Sequence, residues 1–148
     1  MSRFTAALLA LLMACLPAQA QEAKAAFGAA TATQTLVVIG TTDIDVFGPV
    51  MQAFLANRPN LRIAYEQWGS NELAALAASR CASDTGGADM IISSAVDLQV
   101  QLVNDGCAIA HKSPATAGLP GARNWRNEIF GITEEPAVMI YNTELVSP

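Results

Sequence analysis

Short apolar segments rich in β-branched residues alternate along this chain with segments whose apolar residues recur every three or four positions. Residues 35–40 (TLVVIG) are apolar on both faces, as in a strand that is covered on both sides, and residues 46–59 repeat at helical spacing. In residues 61–68 apolar and polar side chains alternate with a period of two. In residues 70–83 the apolar residues again recur every three or four positions, and residues 88–93 form another apolar run. Consecutive βα units with right-handed crossovers predict a three-layer α/β fold with a mainly parallel sheet.

The same patterns predict the details of this α/β unit. A third helix is expected over residues 96–106 and should end at Gly106. Residues 111–127 are rich in proline and glycine and indicate a loop, whereas the apolar run 137–141 predicts a fourth strand, with Asn142 turning toward another helix. The first helix should face the sheet with the apolar residues of its stripe, which are Val46, Phe47, Val50, Met51, Phe54 and Leu55.

The amino terminus has the pattern of an export signal. Arg3 precedes an apolar run that ends in a small-x-small motif, which predicts a secretory signal peptide over residues 1–20 with cleavage after Ala20. A competing interpretation is a lipobox that would anchor the protein to a membrane through a lipid on Cys15. The Ala/Thr/Gly-rich residues 21–34 indicate a flexible linker, so one folded domain is expected over residues 35–148.

Charge and cysteine content narrow the function classes. Loss of the leader removes Arg3, so seven basic residues face thirteen acidic ones and the net charge becomes −6, which argues against nucleic acid as a partner. Cys81 and Cys107 remain, and an even pair of cysteines in an oxidising compartment predicts a disulfide. With one histidine, His111, in a polar loop and no CxxC spacing, we expect no metal site and no cofactor.

Polar clusters follow each of the first three predicted strands. They are Thr41-Thr42-Asp43, Gly69-Ser70-Asn71 and Ser93-Ser94. Carboxyl ends of parallel strands share one edge of a sheet, and ligands bind at that edge, where amides and hydroxyls could accept an anion or a polyol. The alternative is simple capping, since these residue types are the common helix caps, and Asp43 or Asp45 would cap the first helix.

Aromatic and catalytic signals add two further hypotheses. Trp68 directly precedes Gly69 at the expected ligand edge and could stack on a ligand, or it could be a core residue, and Trp125 is a weaker candidate of the same kind. The chain has no Gly-x-Ser-x-Gly, Walker or GxGxxG motif, so we do not expect an enzyme. The remaining enzymatic alternative is a small exported hydrolase that uses Asp43 or Asp45 with Ser93.

Residues 35–73, 88–106 and 135–146 together resemble periplasmic solute-binding proteins of ABC transporters, in particular the type 2, iron- and spermidine-like group. The resemblance implies a two-lobed clamp that closes on a small polar or anionic solute and delivers it to a membrane permease. Residues 35–148 would be the first lobe, ending near the hinge with the second lobe absent. The tyrosine clusters that bind ferric iron in some relatives would lie in that second lobe, so iron is not inferred.

The same resemblance implies a site, a location and partners. The protein is expected in the periplasm, with an ABC permease as its membrane partner. The alternative partner is a sensor receptor or kinase to which the clamp would present its ligand state. By position, the residues implied to line the first lobe's side of the cleft are Thr41, Thr42, Asp43, Ser70, Asn71, Ser93 and Ser94, with Tyr141 near the hinge.

Overall fold

The computed structural model describes residues 21–83, 86–134, 136 and 138–146. The chain divides into two compact units, with the boundary after Leu102. That residues 35–148 form one folded domain stays a prediction. The first unit contains the large sheet and the second contains short elements only.

Four strands form the sheet of the first unit: β1 (Gln21–Phe27), β2 (Gln34–Gly40), β3 (Leu61–Trp68) and β4 (Met90–Ile92). Their order is β1-β3-β2-β4. Strand β2 lies in the centre and runs parallel to β3 and to β4, while β1 is antiparallel to β3. The predicted α/β fold with a mainly parallel sheet is therefore confirmed.

Strand β1 corrects the prediction of a flexible linker over residues 21–34. It pairs with β3 from Gln21, opposite Trp68, to Phe27, opposite Ile63. Half-buried and exposed side chains alternate from Ala23 to Phe27, but the inward positions are mostly alanines, whose weak apolar signal hides the period of two. The strand is followed by Gly28, which has a φ of +94° and allows the chain to turn toward β2.

Three helices connect or follow the parallel strands: α1 (Ile44–Leu55), α2 (Ser70–Ser83) and α3 (Val96–Asn104). In the described residues no helix has both the length and the apolar character needed to cross a bilayer. Helix α3 is followed by Gly106, whose φ is +81° and whose N–H donates to the carbonyl of Val103 at 3.1 Å, as expected for a glycine at a helix end. The main core cluster lies between the sheet and α1 and contains Val38, Met51, Leu55, Ile63 and Tyr65.

Helix α1 buries a narrower stripe than the sequence predicts. Met51 and Leu55 are buried and Phe47 packs at the rim of the core, but Val46, Val50 and Phe54 are exposed by 67%, 55% and 43%. Apolar residues occupy more than half of the circumference of this helix, whereas a sheet contacts a helix along a single stripe. The prediction that the row 46-50-54 faces the sheet is wrong.

The opposite face of the sheet is also covered. Side chains alternate across a strand, so Ile39 lies on the face opposite to Val38, and it is completely buried. The chain moves from β2 to β3 in one direction and from β3 to β4 in the other, so right-handed crossovers place α1 and α2 on opposite faces. Leu73 and Ala77, the buried residues of α2, fit this position.

The second unit contains a helical turn α4 (Pro114–Ala117), a 3₁₀ turn at Gly121–Arg123, and a hairpin of β5 (Asn124–Trp125) and β6 (Ile129–Phe130). The loop expected over residues 111–127 is therefore partly ordered into short elements. The side chain of Ser113 accepts a hydrogen bond from the N–H of Thr116 in a capping box, a signal that the Pro/Gly content conceals.

The expected fourth strand over residues 137–141 is not formed at the described positions 138–141. Val138, Met139 and Ile140 are exposed by 74%, 91% and 89%. A strand is stabilised by pairing with a neighbour, and high β-propensity does not substitute for that partner. Asn142 starts a turn rather than a helix over the described residues, and its side-chain oxygen accepts the N–H of Glu144 at 2.8 Å.

Candidate functional site

The direction of chain progression reverses at β2, which creates a switch point between β2 and β4 at the carboxyl edge of the sheet. The N–H of Thr41, directly after β2, donates to the carbonyl of Ile92, the last residue of β4, at 3.0 Å. This bond fixes the first polar cluster beside Ser93. Crevices of this kind are the usual ligand sites of open α/β sheets.

The end of β3 is joined to the start of α1 by the side chain of Gln67. Its Nε2 donates to Oδ1 of Asp43 at 2.8 Å, and its Oε1 accepts the N–H of Ile44 at 3.1 Å. Asp43 occupies the N-cap position, but its carboxylate makes no cap bond, so the amide of Gln67 satisfies the first free N–H of α1 instead. The sequence interpretation missed Gln67, although it is a polar residue on the side of β3 that faces the core.

Tyr65 packs beneath the segment that joins β2 to α1. Its hydroxyl donates to the carbonyl of Thr42 at 2.7 Å, and its side chain is only 1% exposed. Burial raises the pKa of the phenol above its usual value, as does the charge of Asp43, against the lowering effect of the bond to Thr42. A Cβ on Gly40 would lie 2.5 Å from the Tyr65 hydroxyl, so glycine allows the ring to reach the end of β2.

The two serines after β4 differ: the hydroxyl of Ser93 is used in a hydrogen bond within the chain, whereas Ser94 is exposed. The Oγ of Ser93 accepts the N–H of Ala95 at 3.1 Å, which forms a turn directly before α3. The carbonyl of Ser94 accepts the N–H of Val96 at 3.0 Å, and Ser94 is exposed. The apolar strand therefore ends in two serines because one forms the turn that leads to the next helix and the other lies at the open edge.

The third polar cluster lies at the start of α2. Ser70 is the first residue of that helix and is half-buried, and Asn71 is exposed. Because Gln67 is opposite Gly40 in the sheet register, this cluster lies at the same edge as the other two. The residues that the fold brings to the carboxyl edge are Thr41, Thr42, Asp43, Ser70, Asn71, Ser93 and Ser94.

Trp68 is a core residue and not an open stacking surface in this structure. Its side chain is 7% exposed and its Nε1 is 3.3 Å from Oε2 of Glu66. Glu66 also pairs with Lys24 at 3.1 Å and Arg80 at 3.5 Å. Partial burial alone would raise the pKa of Glu66, but hydrogen bonds from Lys24 and Trp68 and the charges of Lys24 and Arg80 lower it below its usual value.

The remaining predicted residues belong to other parts of the chain. Tyr141 lies in the second unit and is 47% exposed, and Trp125 is 50% exposed in β5. His111 is exposed, as expected, and its ring makes an edge contact with Phe130 at a centroid distance of 6.4 Å. Cys81 and Cys107 are both disulfide-bonded, consistent with the predicted pair.

A depression of about 440 Å³ lies at the opposite, amino edge of the sheet, where β2 and β3 begin. It is far from the three polar clusters along the strands and is a rival location for a ligand. In the described part of the chain, no group of three or more potential metal-ligating His, Cys, Asp or Glu side chains occurs. The depression is lined by Gln34, Asn57, Arg58, Pro59, Asn60 and Leu61.

The hydrolase hypothesis gains no support from the geometry. A nucleophilic serine needs a base within hydrogen-bond reach. Within the described ranges, the recorded partner of the Ser93 hydroxyl is the N–H of Ala95, and that of the Asp43 carboxylate is Gln67. These hydrogen bonds hold the turns between strands and helices, and the other polar groups at this edge are open.

Comparison with known proteins identifies the class of fold. No protein-family model matches the chain, and no curated protein matches it. A solved structure described as the substrate-binding protein of the ABC transporter from Agrobacterium tumefaciens is 33% identical and aligns over 71% of this chain with a TM-score of 0.67. The chain spans about a third (32%) of the length of that protein. The α/β architecture is that of a substrate-binding protein lobe.

Proposed function

We propose that this chain forms part of an extracytoplasmic solute-binding protein and that the carboxyl edge of its sheet is one side of the solute site. The observation that carries the proposal is the convergence of three polar clusters at the switch point between β2 and β4. The 33% identity to a substrate-binding protein of an ABC transporter supports the same function.

The charges at this edge favour one class of solute. Asp43 precedes α1, and each helix that starts here has an acidic residue in its first turn, namely Asp45, Glu72 and Asp97. Of the described basic residues in the first unit, Lys24 and Arg80 are neutralised by pairing with Glu66 near the end of β3, and Arg58 and Arg62 lie near the amino edge. Four carboxylates therefore favour a solute with amine or hydroxyl groups over a strong anion.

The cellular setting follows from the leader and the resemblance. A signal peptide over residues 1–20 would export the protein to the periplasm, and the solute would be delivered to an ABC permease. Membership in the type 2, iron- and spermidine-like group is part of the proposal and agrees with an acidic edge, since spermidine is a cation.

A thermal-shift titration tests the proposal with three probes: spermidine, ferric citrate and inorganic phosphate. A ligand at a hundredfold excess over its Kd stabilises the folded state by about 2.7 kcal/mol, so binding should raise Tm measurably. We expect spermidine to raise Tm and the two anionic probes, ferric citrate and phosphate, to leave it unchanged. A rise with either anion alone, or with none of the three, would contradict the assignment of the solute class.

Matched variants locate the site. Thr41→Val and Ser94→Ala change the carboxyl edge without removing a recorded side-chain hydrogen bond, and we expect them to abolish the ligand-induced shift. Gln34→Ala and Asn57→Ala change the amino-edge depression and should leave the shift intact. The reverse pattern would move the site to the depression and overturn the proposal.

A further inference from the structure

Helix α1 presents an outer surface whose own side chains are uncharged. We define the outer stripe as Val46, Pro49, Val50, Ala53 and Phe54, all of which are exposed. These residues share the side of the helix opposite to the buried Met51 and Leu55. A helix that is apolar over most of its circumference is ordinarily covered on more than one side, and no described residue covers this stripe.

The shape of the outer stripe suits packing against another helix. Val46, Val50 and Phe54 follow each other at four-residue intervals and form a continuous ridge. The small side chain of Ala53 leaves a shallow groove beside that ridge. A ridge next to a groove on the same surface is self-complementary, as a two-fold symmetric interface requires.

The charges at the two ends of the stripe select an antiparallel arrangement. Asp45 lies at its amino-terminal end, and Arg58 lies just past its carboxyl-terminal end. The guanidinium carbon of Arg58 is 4.0 Å from the ring centroid of Phe54, and its Nη1 donates to the carbonyl of Phe54, which leaves its other N–H groups for a partner. If two copies of α1 pack in antiparallel fashion, Asp45 of each copy approaches Arg58 of the other, and the helix dipoles oppose each other. A parallel arrangement would instead place the two Asp45 carboxylates side by side.

We propose that the outer stripe of α1 is a contact surface for a second copy of this chain, in an antiparallel helix pair centred near Val50. The association is expected to be weak. Three partly exposed side chains and two small residues expose far less than the roughly 800 Å² per partner of a standard stable interface. Dimers should therefore form with rising protein concentration.

Sedimentation velocity of the full chain, produced with its own leader, tests this from about 1 μM to about 1 mM, the range of weak interfaces. We expect monomer at the low end and dimer at the high end. Val50→Asp should abolish the dimer by placing two carboxylates at its centre. Val96→Asp, at a valine of similar exposure (62%) in α3, is the matched control and should leave the dimer unchanged.

A charge exchange tests the antiparallel arrangement. Asp45→Arg alone should raise the dimer dissociation constant, and combination with Arg58→Asp should lower it again toward the original value. Circular dichroism must show the same helix content in each variant. A monomer at every concentration, a dimer that survives Val50→Asp, or equal loss in Val96→Asp would overturn the proposal. So would solvent protection of the stripe in a monomer, since part of the same chain would then cover it.

Discussion

Alanine at position 40 should break the packing that supports the candidate site. The Cβ of Gly40→Ala would lie 2.5 Å from the hydroxyl of Tyr65 and 3.1 Å from the carbonyl oxygen of Ile92. Tyr65 is fully buried and its hydroxyl donates to Thr42, so the ring has little space in which to move. Overpacking costs about 1–3 kcal/mol and a buried polar group left without its partner about 1–3 kcal/mol, which gives a loss of about 2–6 kcal/mol.

Urea unfolding followed by circular dichroism measures this loss, and a double variant tests its cause. Tyr65→Phe removes the oxygen that the new Cβ would meet, at a cost of about 1–2 kcal/mol for the hydrogen bond to Thr42. The double variant Gly40→Ala/Tyr65→Phe should then lose at least about 1 kcal/mol less than the sum of the single losses. Gly118→Ala, where a Cβ meets nothing within 4 Å, is the control and should change stability little. Strict additivity would refute the reasoning.

Three further predictions rest on other parts of the fold. Gly28→Ala should destabilise the protein by about 2–4 kcal/mol in the same assay, because φ is +94° and the new Cβ would lie 2.7 Å from the carbonyl oxygen of Leu61; a loss below about 0.5 kcal/mol would contradict this. The pKa of Glu66 is lowered in the folded state, so its contribution to stability should be complete above about pH 5 and disappear as the pH falls from the usual Glu value of about 4.3 through the lowered folded pKa. Glu66→Gln should lack that part of the pH dependence, and identical acid profiles of the two proteins would argue against the network. Alkylation of the unreduced protein should modify neither Cys81 nor Cys107, and reduction should lower the free energy of unfolding by about 2–5 kcal/mol; two modified thiols before reduction would exclude the disulfide.

Local patterns predicted the parallel strands and their helices because the period of two in a strand and the period of 3.6 in a helix can both be read from neighbouring residues. In β1 the inward residues before Phe27 are alanines, so its period of two was not recognised from the sequence. Phe27 itself packs against the core. The apolar run 137–141 is the opposite case, in which a strand was predicted but is not formed at the described positions. Its residues favour a strand, but pairing depends on a partner distant in sequence. Propensity is local, whereas strand formation is not.

The candidate site was predictable in position but not in detail. The three polar clusters reach one edge because carboxyl ends of parallel strands must meet there. The contact of Gln67 with Asp43 joins residues 24 positions apart, and no local pattern indicates it. Trp68 was placed at the edge by its sequence neighbours, but the alternation of side chains along β3 directs it into the interior, next to Glu66.

Native mass spectrometry of the protein isolated without denaturation from its own cells tests the central claim most directly. The wild-type chain should carry a small adduct that is removed by dialysis against a mild denaturant, and the mass of the adduct should match an amine or a polyol. The variant Thr41→Val/Ser94→Ala, isolated in the same way, should be free of that adduct. An adduct retained by the variant, or its absence from both proteins, would contradict a solute site at the carboxyl edge.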